Sequence, residues 1–167
     1  MMMNTNETGR SMVEMLGVLA VIGVLTVGGI SAMNFGMQAY NVSQVYSQVE
    51  ETARGISDIF SWSRAYPTKG DTNFATRVVG NDVCDAYGCQ VKDKGVVADT
   101  PWGKMTVTPE TGDYFVITLD SVPKAACEQL KAYQWQNVSV RPENSDKPHK
   151  TNCNDNNDGT VVFESMI

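Results

Sequence analysis

The chain has 167 residues and a mass of 18.3 kDa, which allows one globular domain with a long additional element. It is acidic, with 13 Lys and Arg against 19 Asp and Glu, a net charge of −6 and a pI near 4.7. Nucleic-acid surfaces need clustered Lys and Arg. The charge balance therefore argues against a nucleic-acid partner and against a domain that rests on anionic lipid.

An apolar run dominates the N-terminal part of the chain. No charged residue occurs from Met15 through Val49, and from Met12 through Met33 nearly every side chain is apolar or small. About 20 such residues suffice to cross a bilayer as a helix. A secretory signal peptide cut after Ala32 is the alternative, but the run is too long for one and lacks a basic start.

Helical periodicity continues beyond the apolar run, because apolar residues recur at steps of three and four. No proline occurs before Pro67. We therefore predict one continuous helix from Ser11 to Tyr66, apolar all round in its first half and one-sided in its second half. The predicted apolar side comprises Val42, Val45, Tyr46, Val49, Ala53, Ile56 and Phe60, and the predicted opposing side comprises Gln38, Asn41, Gln44, Gln48 and Glu51.

A short motif stands at the start of this run. The residues Gly9-Arg10-Ser11-Met12-Val13-Glu14-Met15-Leu16 resemble the signature of type IV prepilins. The resemblance implies that a prepilin peptidase cuts between Gly9 and Arg10, that the freed amine of Arg10 is methylated, and that Glu14 acts in subunit assembly. Arg10 departs from the family pattern, in which the first mature residue is usually apolar or aromatic.

The position of Glu14 has a physical rationale in an assembled filament. A charge within a membrane helix costs on the order of 3 kcal/mol, although a carboxylate at headgroup level is the simpler alternative. In a filament, the terminal ammonium of one subunit and Glu14 of a neighbour can neutralise each other among apolar helices. A buried pair left half-made costs roughly 3–5 kcal/mol, so the pair is expected to fix the axial register between subunits.

Small residues recur within the same run. Gly28, Ala32 and Gly36 fall at four-residue spacing and are predicted to share one stripe of the helix. Small residues allow helix backbones to approach closely in membranes. The stripe is a candidate packing seam between subunits, and simple tolerance of glycine in a membrane helix is the alternative.

The four cysteines, Cys84, Cys89, Cys127 and Cys153, all lie in the C-terminal half. Their even number, the absence of a CxxC pair and the single histidine argue against zinc and favour two disulfides formed in an oxidising compartment. Three pairings are possible. We prefer Cys84–Cys89 with Cys127–Cys153 because nearest neighbours close the shortest loops, but the sequence does not decide it.

The C-terminal part, called the head here (residues 67–167), has a mixed pattern. After Pro67 we predict a loop-rich stretch to about Asp99. Two strand-like runs, 104–108 and 113–119, flank the turn 109–112 and predict a hairpin. Ser121 is the predicted N-cap of a second helix with Pro123 in its first turn. One face of that helix is predicted to carry Ala126, Cys127, Leu130 and Tyr133, and short strands are expected at 138–140 and 161–163.

This order predicts an α+β fold, with the long N-terminal helix packed on a small antiparallel sheet as in a pilin roll. The head also carries a resemblance: Thr100-Pro101-Trp102-Gly103, Phe115-Val116-Ile117-Thr118 and Val122-Pro123-Lys124-Ala125-Ala126-Cys127 are similar in order and spacing to type IVb pilins of the plasmid and enterobacterial PilS kind. The resemblance implies a Cys127–Cys153 bridge around the surface-exposed face of a filament.

The expected organisation is a leader at 1–9, a membrane-spanning and assembly half of the helix at 10–35, an amphipathic half at 36–66, and the head. The resemblance implies a major pilin, a homopolymer subunit used for adhesion, aggregation or conjugative contact. Its implied partners are the prepilin peptidase and an inner-membrane assembly platform, and its implied location is the bacterial inner membrane, then a pilus on the cell surface. The alternatives are a minor pilin or type II secretion pseudopilin, and an anchored or secreted binding domain that does not polymerise.

We expect neither enzymatic activity nor a cofactor, because no Ser/His/Asp set, phosphate loop or paired carboxylate site is recognisable. Asn154, Asn156 and Asp158 fit the beginning of a calcium-loop pattern, but its twelfth position is Ser165 and not a bidentate glutamate. A calcium site is therefore only a weak alternative to an Asn-rich surface turn.

Overall fold

The computed structural model describes residues 11–63, 65–93, 95–110, 112–147, 149–154 and 158–165. The expected leader, the cleavage and methylation site at Gly9 and Arg10, and the candidate calcium ligand Asn156 lie outside these residues. The chain divides into two units, Met1–Tyr40 and Asn41–Ile167.

Helix α1 spans Ser11–Phe60 and begins in the first unit. Every side chain from Met12 to Met37 is exposed. The two hydroxyl residues of this stretch bond to the helix itself: Thr26 Oγ1 donates to the carbonyls of Ile22 and Gly23 at 2.8 and 2.9 Å, and Ser31 Oγ donates to that of Val27 at 3.0 Å. Such bonds satisfy polar groups without water, as a lipid environment demands.

In the second unit, α1 buries one side against the head. The predicted apolar side is buried, apart from Tyr46, which is partly buried. Gln48, predicted on the opposing side, is only 1% exposed, and that prediction was wrong. Its Nε2 donates to the carbonyl of Asp99 at 3.1 Å, and this hydrogen bond offsets the cost of burying the amide.

Helix α1 ends at Phe60 and not at Tyr66 as expected. Ser61 and Ser63 donate from their hydroxyls to the carbonyls of Asp58 and Phe60, both at 2.8 Å, and so compete with continuation of the helix. Tyr66 lies in extended chain, where its N–H donates to the carbonyl of Gly112 at 2.6 Å. The helix therefore ends before Pro67 is reached, and a tertiary hydrogen bond holds Tyr66 outside it.

The head contains a six-stranded sheet in the order β1-β2-β3-β4-β6-β5, with every neighbouring pair antiparallel. The predicted hairpin is confirmed as β3 and β4, and the two predicted C-terminal strands as β5 and β6. The strands are β1 Gln90–Lys92, β2 Gly95–Asp99, β3 Lys104–Pro109, β4 Phe115–Val122, β5 Val138–Val140 and β6 Gly159–Ser165.

The inward side of this sheet forms a core with the second half of α1, and the predicted α+β fold is confirmed. On β3 and β4, Met105 pairs with Leu119 and Val107 with Ile117, and all four side chains are buried. Period-two alternation explains this face, since alternate residues of a strand point the same way. Phe60, on α1, lies in the same core.

The predicted loop between the long helix and Asp99 contains regular structure that the sequence analysis missed. Helix α2 spans Thr72–Gly80, a 3-10 turn spans Asp85–Tyr87, and β1 and β2 follow. Asp71 caps α2 by accepting from the N–H of Asn73 at 2.9 Å. The sequence features that could have predicted α2 are few: Asp71 as an N-cap, and Phe74 and Val78 at i, i+4 spacing. Both of these apolar side chains are buried.

Helix α3 spans Lys124–Ala132 and buries Ala126, Cys127 and Leu130 on the predicted face, whereas Tyr133 is 43% exposed at its C-cap. The predicted N-cap Ser121 was wrong. Strand β4 continues through Ser121 at a register irregularity between Leu119 and Val122, because Val122 still pairs with Gly159 on β6. Pro123 therefore occupies the N-cap position and not the first turn.

Candidate assembly helix and disulfide-closed head

The first half of α1 has the properties of a segment that avoids water. Among the described residues, one helix is long and apolar enough to cross a membrane, and none of its most apolar stretch is buried. This stretch therefore differs from the core helix of a soluble domain, which is mostly buried, although a signal sequence near the N-terminus has the same length and composition. Large apolar side chains here are 50–79% exposed, from Ile22 at the low end to Met12 at the high end. A contiguous apolar surface of this kind marks contact with lipid or protein.

The candidate assembly residues lie on this exposed half. Glu14 is in the first turn of α1, where a carboxylate is favoured by the positive end of the helix dipole. No heavy atom lies within 4 Å of a Cβ built on Gly28 or Gly36, apart from the local helix itself. The stripe formed with Ala32 therefore has space for a neighbouring backbone.

Two disulfides close the head. Cys84 is bonded to Cys89 and Cys127 to Cys153, with Cα–Cα distances of 5.6 and 5.7 Å. Cys84 and Cys127 are buried. The second bond joins α3 to the chain just before β6, so that it encloses β5 and a long irregular loop.

An ion-pair network holds this enclosed segment to β6. The Arg141 side chain is 2% exposed and contacts Glu164 Oε2 at 3.2 Å, while Lys147 Nζ lies 2.6 Å from Glu164 Oε1. Arg141 also donates to the carbonyl of His149 at 3.0 Å. Burial raises the pKa of Glu164, but hydrogen bonds from Lys147 and Arg141 outweigh it and bring the pKa below its ordinary value. This network leaves no local pattern in the sequence, because Glu164 is separated from Arg141 and Lys147 by a long stretch of chain.

Two adjacent glutamates fix the head to the second half of α1. Glu50 accepts from the N–H of Gln136 at 2.7 Å and from Asn137 Nδ2 at 2.6 Å. Glu51 accepts a hydrogen bond from the Tyr87 hydroxyl. Burial, then this hydrogen bond and the charge of Glu51, raise the pKa of Tyr87 to about 12. Periodicity places Glu51 on the solvent side of the helix. The hydrogen-bond partners of both glutamates belong to the head and come near α1 only when the chain folds.

One described candidate calcium ligand, the Asn154 side chain, is hydrogen-bonded within the chain. Asn154 Nδ2 donates to the Asp158 carbonyl at 3.2 Å, and its Oδ1 accepts from the Asp158 N–H at 3.3 Å. Asn side chains commonly make such local bonds to the backbone in turns.

One further group of possible metal ligands is found among the described residues, namely Glu128, Glu143 and Cys153. Cys153 is committed to a disulfide. The Lys131 ammonium lies 3.2 Å from Glu128 and 3.1 Å from Glu143, and so it already occupies the space between the two carboxylates. This arrangement is a cross-link on the surface and does not indicate a metal site.

Comparison with known proteins gave no family model and no curated protein that matches this sequence.

Proposed function

We propose that this chain is a structural subunit of a type IV pilus, most similar to type IVb major pilins, which polymerises through α1 into a filament for adhesion, aggregation or conjugative contact. The observation that carries the proposal is the combination in one helix of two different halves. The first is exposed, apolar and without charge from Met15 onward, and the second packs into the core of an α+β head. A helix that only anchors a domain in the membrane does not need to continue into the hydrophobic core of that domain.

The surface of the first half supports polymerisation. Its apolar side chains have two possible environments, lipid before assembly and the helices of other subunits afterwards. The stripe of Gly28, Ala32 and Gly36 allows close helix approach in either environment. The membrane and then a homopolymer are therefore the proposed successive partners of this segment.

Glu14 is the proposed register determinant. After cleavage behind Gly9, the amine of Arg10 would be available to pair with Glu14 of a neighbouring subunit. Because a half-made pair among apolar helices costs roughly 3–5 kcal/mol, subunits out of register would be disfavoured. The prepilin peptidase and an inner-membrane assembly platform are the proposed partners for processing and extrusion, with the inner membrane and then the cell surface as locations.

The test is Glu14→Ala in cells that assemble the filament, with sheared surface material examined by electron microscopy. Membrane insertion should survive, because removing a charge from an apolar helix favours insertion. Filament yield should fall about tenfold or more, as expected from a lost buried pair. Asp58→Ala is the matched control, since Asp58 lies on the same helix with its side chain 75% exposed. Wild-type yield from Glu14→Ala would refute the assigned role.

N-terminal sequencing of the mature protein tests the class of protein independently. A start at Arg10, with or without methylation, supports processing as a pilin. A start at Met33 would identify a secreted domain, and a start at Met1 would identify a membrane anchor that is not processed.

A further inference from the structure

A groove of about 610 Å³ lies on the outward face of the sheet, opposite the core. Alternation along the strands directs Val96 and Val107 into the core and leaves the intervening residues facing out. The register places Val97 beside Thr106, and Thr106 beside Thr118, in one row across β2, β3 and β4. Directly paired side chains stand about 5 Å apart, so the floor of the groove is a continuous row.

The hydroxyl groups on this floor are available. Among the described residues, no hydrogen bond is found for the side chains of Thr106, Thr108 and Thr118, and all three are partly exposed. A threonine hydroxyl can donate one bond and accept two. The floor therefore presents three unused donor–acceptor groups within a volume typical of small-molecule sites, about 300–1,000 Å³.

Among the described residues that line the groove, the charges of lysines and carboxylates balance. They are Lys69, Lys92 and Lys104 with Asp93, Glu110 and Asp120. Two of the lysines are already paired: Lys69 lies 3.4 Å from Glu110, and Lys104 lies 2.9 Å from Asp99. A polyanion site would need an excess of cations on one face. The balance therefore favours a neutral ligand.

We infer that this groove binds a short neutral saccharide, two or three sugar units long. The threonine hydroxyls and the rim carboxylates suit sugar hydroxyls, which both donate and accept. Val97 and the threonine methyl groups offer apolar contact to the C–H face of a sugar ring. No aromatic side chain is among the described lining residues, so the stacking that strengthens many sites is missing here. A single groove binds weakly.

If the chain repeats along a filament, many weak sites act together and the overall avidity rises. This part of the inference rests on the proposed function. Many copies that engage one glycan surface raise avidity by about 10²–10⁴ without any new contact. The groove itself lies wholly within residues 41–167, so its occupancy is measurable on the unassembled chain.

The experiment is an NMR titration of the full-length ¹⁵N-labelled chain in lauryldimethylamine oxide micelles, a detergent without a sugar headgroup. The probes are maltotriose and N-acetylchitotriose. We expect at least one of them to shift the amides of Val97, Thr106 and Thr118 with a dissociation constant of about 1–10 mM, given that the site lacks an aromatic platform. The double variant Thr106→Val with Thr118→Val should weaken binding about fivefold or more, because two hydrogen bonds are lost at constant shape.

Thr76→Val is the matched control, since Thr76 is an exposed threonine on α2 away from the groove. It should bind as the wild type does, and so should Glu14→Ala, which tests the filament and not the groove. Three results would each overturn the inference: no shift with either trisaccharide at about 20 mM, twice the upper end of the expected range; shifts confined to residues outside the groove; or tighter binding of a heparin trisaccharide or an extended peptide.

Discussion

The two halves of helix α1 use similar apolar side chains in opposite ways. From Met12 to Met37 every side chain is exposed, whereas Val42, Val45, Val49, Ala53 and Ile56 are at most 1% exposed. The second half alternates these buried residues with polar ones, and the first half has almost no polar residue to present to water. A helix that is apolar all round needs a partner on every side, while a one-sided helix needs only a sheet.

This difference separates two kinds of stabilisation within one element. Burial of the second half contributes to folding of the head, at about 25 cal/mol per Å² of apolar surface removed from water. The exposed half adds no buried side chain to that core, and under the proposed function it is covered by lipid or by other copies of the chain. Substitutions in the two halves should therefore separate folding from assembly.

The largest expected effect comes from one matched pair of substitutions. Ile56→Ala should lower the free energy of unfolding of the head by about 2–5 kcal/mol, because it leaves a cavity in a close-packed core. Ile22→Ala, in the exposed half, should change it by less than about 0.5 kcal/mol. Urea unfolding in detergent, followed by the fluorescence of Trp102 and Trp135 at the core, measures both. Equal losses would show that the two halves do not differ in this way.

Within the head, the two disulfides are expected to contribute unequally to the free energy of unfolding. Cys127→Ser with Cys153→Ser opens a long loop and should cost about 3.5 kcal/mol in the chain-entropy description. Cys84→Ser with Cys89→Ser opens a much shorter ring and should cost about 2 kcal/mol by the same relation. Chemical denaturation of each double variant gives these values, and the order would be contradicted if the short ring proved the more costly to open.

A smaller effect is expected from pH. The folded state holds the pKa of Glu164 below its unfolded value, so its ionisation stabilises the head at neutral pH. That contribution is present above the unfolded pKa of about 4.3 and is lost as the pH falls through the lower folded value. Unfolding midpoints measured from pH 7 downward should therefore decline in acid, and Glu164→Gln should show a shallower decline.

Glu143→Gln is the control for this pH effect. Glu143 is an exposed carboxylate whose pKa is lowered mainly by its hydrogen bond to Lys131. Because exposed ion pairs are screened by solvent and salt, this variant should follow the wild-type curve closely. If Glu143→Gln flattened the curve as much as Glu164→Gln did, the network around Arg141 would have no special role.

Strong local patterns made much of the fold predictable. Residues 15–49 carry no charge, the turn at 109–112 separates two strand-like runs, and β5 and β6 coincide with short apolar stretches. Between Pro67 and Asp99 the sequence patterns were too weak to predict the secondary structure. There, α2 has nine residues and β1 has three. Elements of that length depend on tertiary contacts more than on their own propensity.

Some of the candidate functional features are visible in the sequence, and others appear only in the folded structure. Glu14 and the stripe from Gly28 to Gly36 are visible in the sequence, because a charge or a glycine inside an apolar run is conspicuous. Gln48 and Glu51 looked solvent-exposed, yet each has a partner in the head at Asp99 or Tyr87. The row of threonines on the outward sheet face was not recognised, because it depends on the pairing of three strands.

The sequence by itself determined the apolar helix, the hairpin and the two-layer α+β arrangement, because hydrophobic period and turn chemistry are local properties. Only the tertiary structure decided which polar residues of α1 are buried, which contact holds Tyr66 outside the helix, and which residue of β6 the loop between Cys127 and Cys153 contacts. Those outcomes depend on the meeting of residues such as Arg141 and Glu164, or Tyr66 and Gly112, which lie far apart in the chain. Contacts between residues that are distant in the chain produce no periodic pattern in the sequence, so they become visible only in the folded molecule.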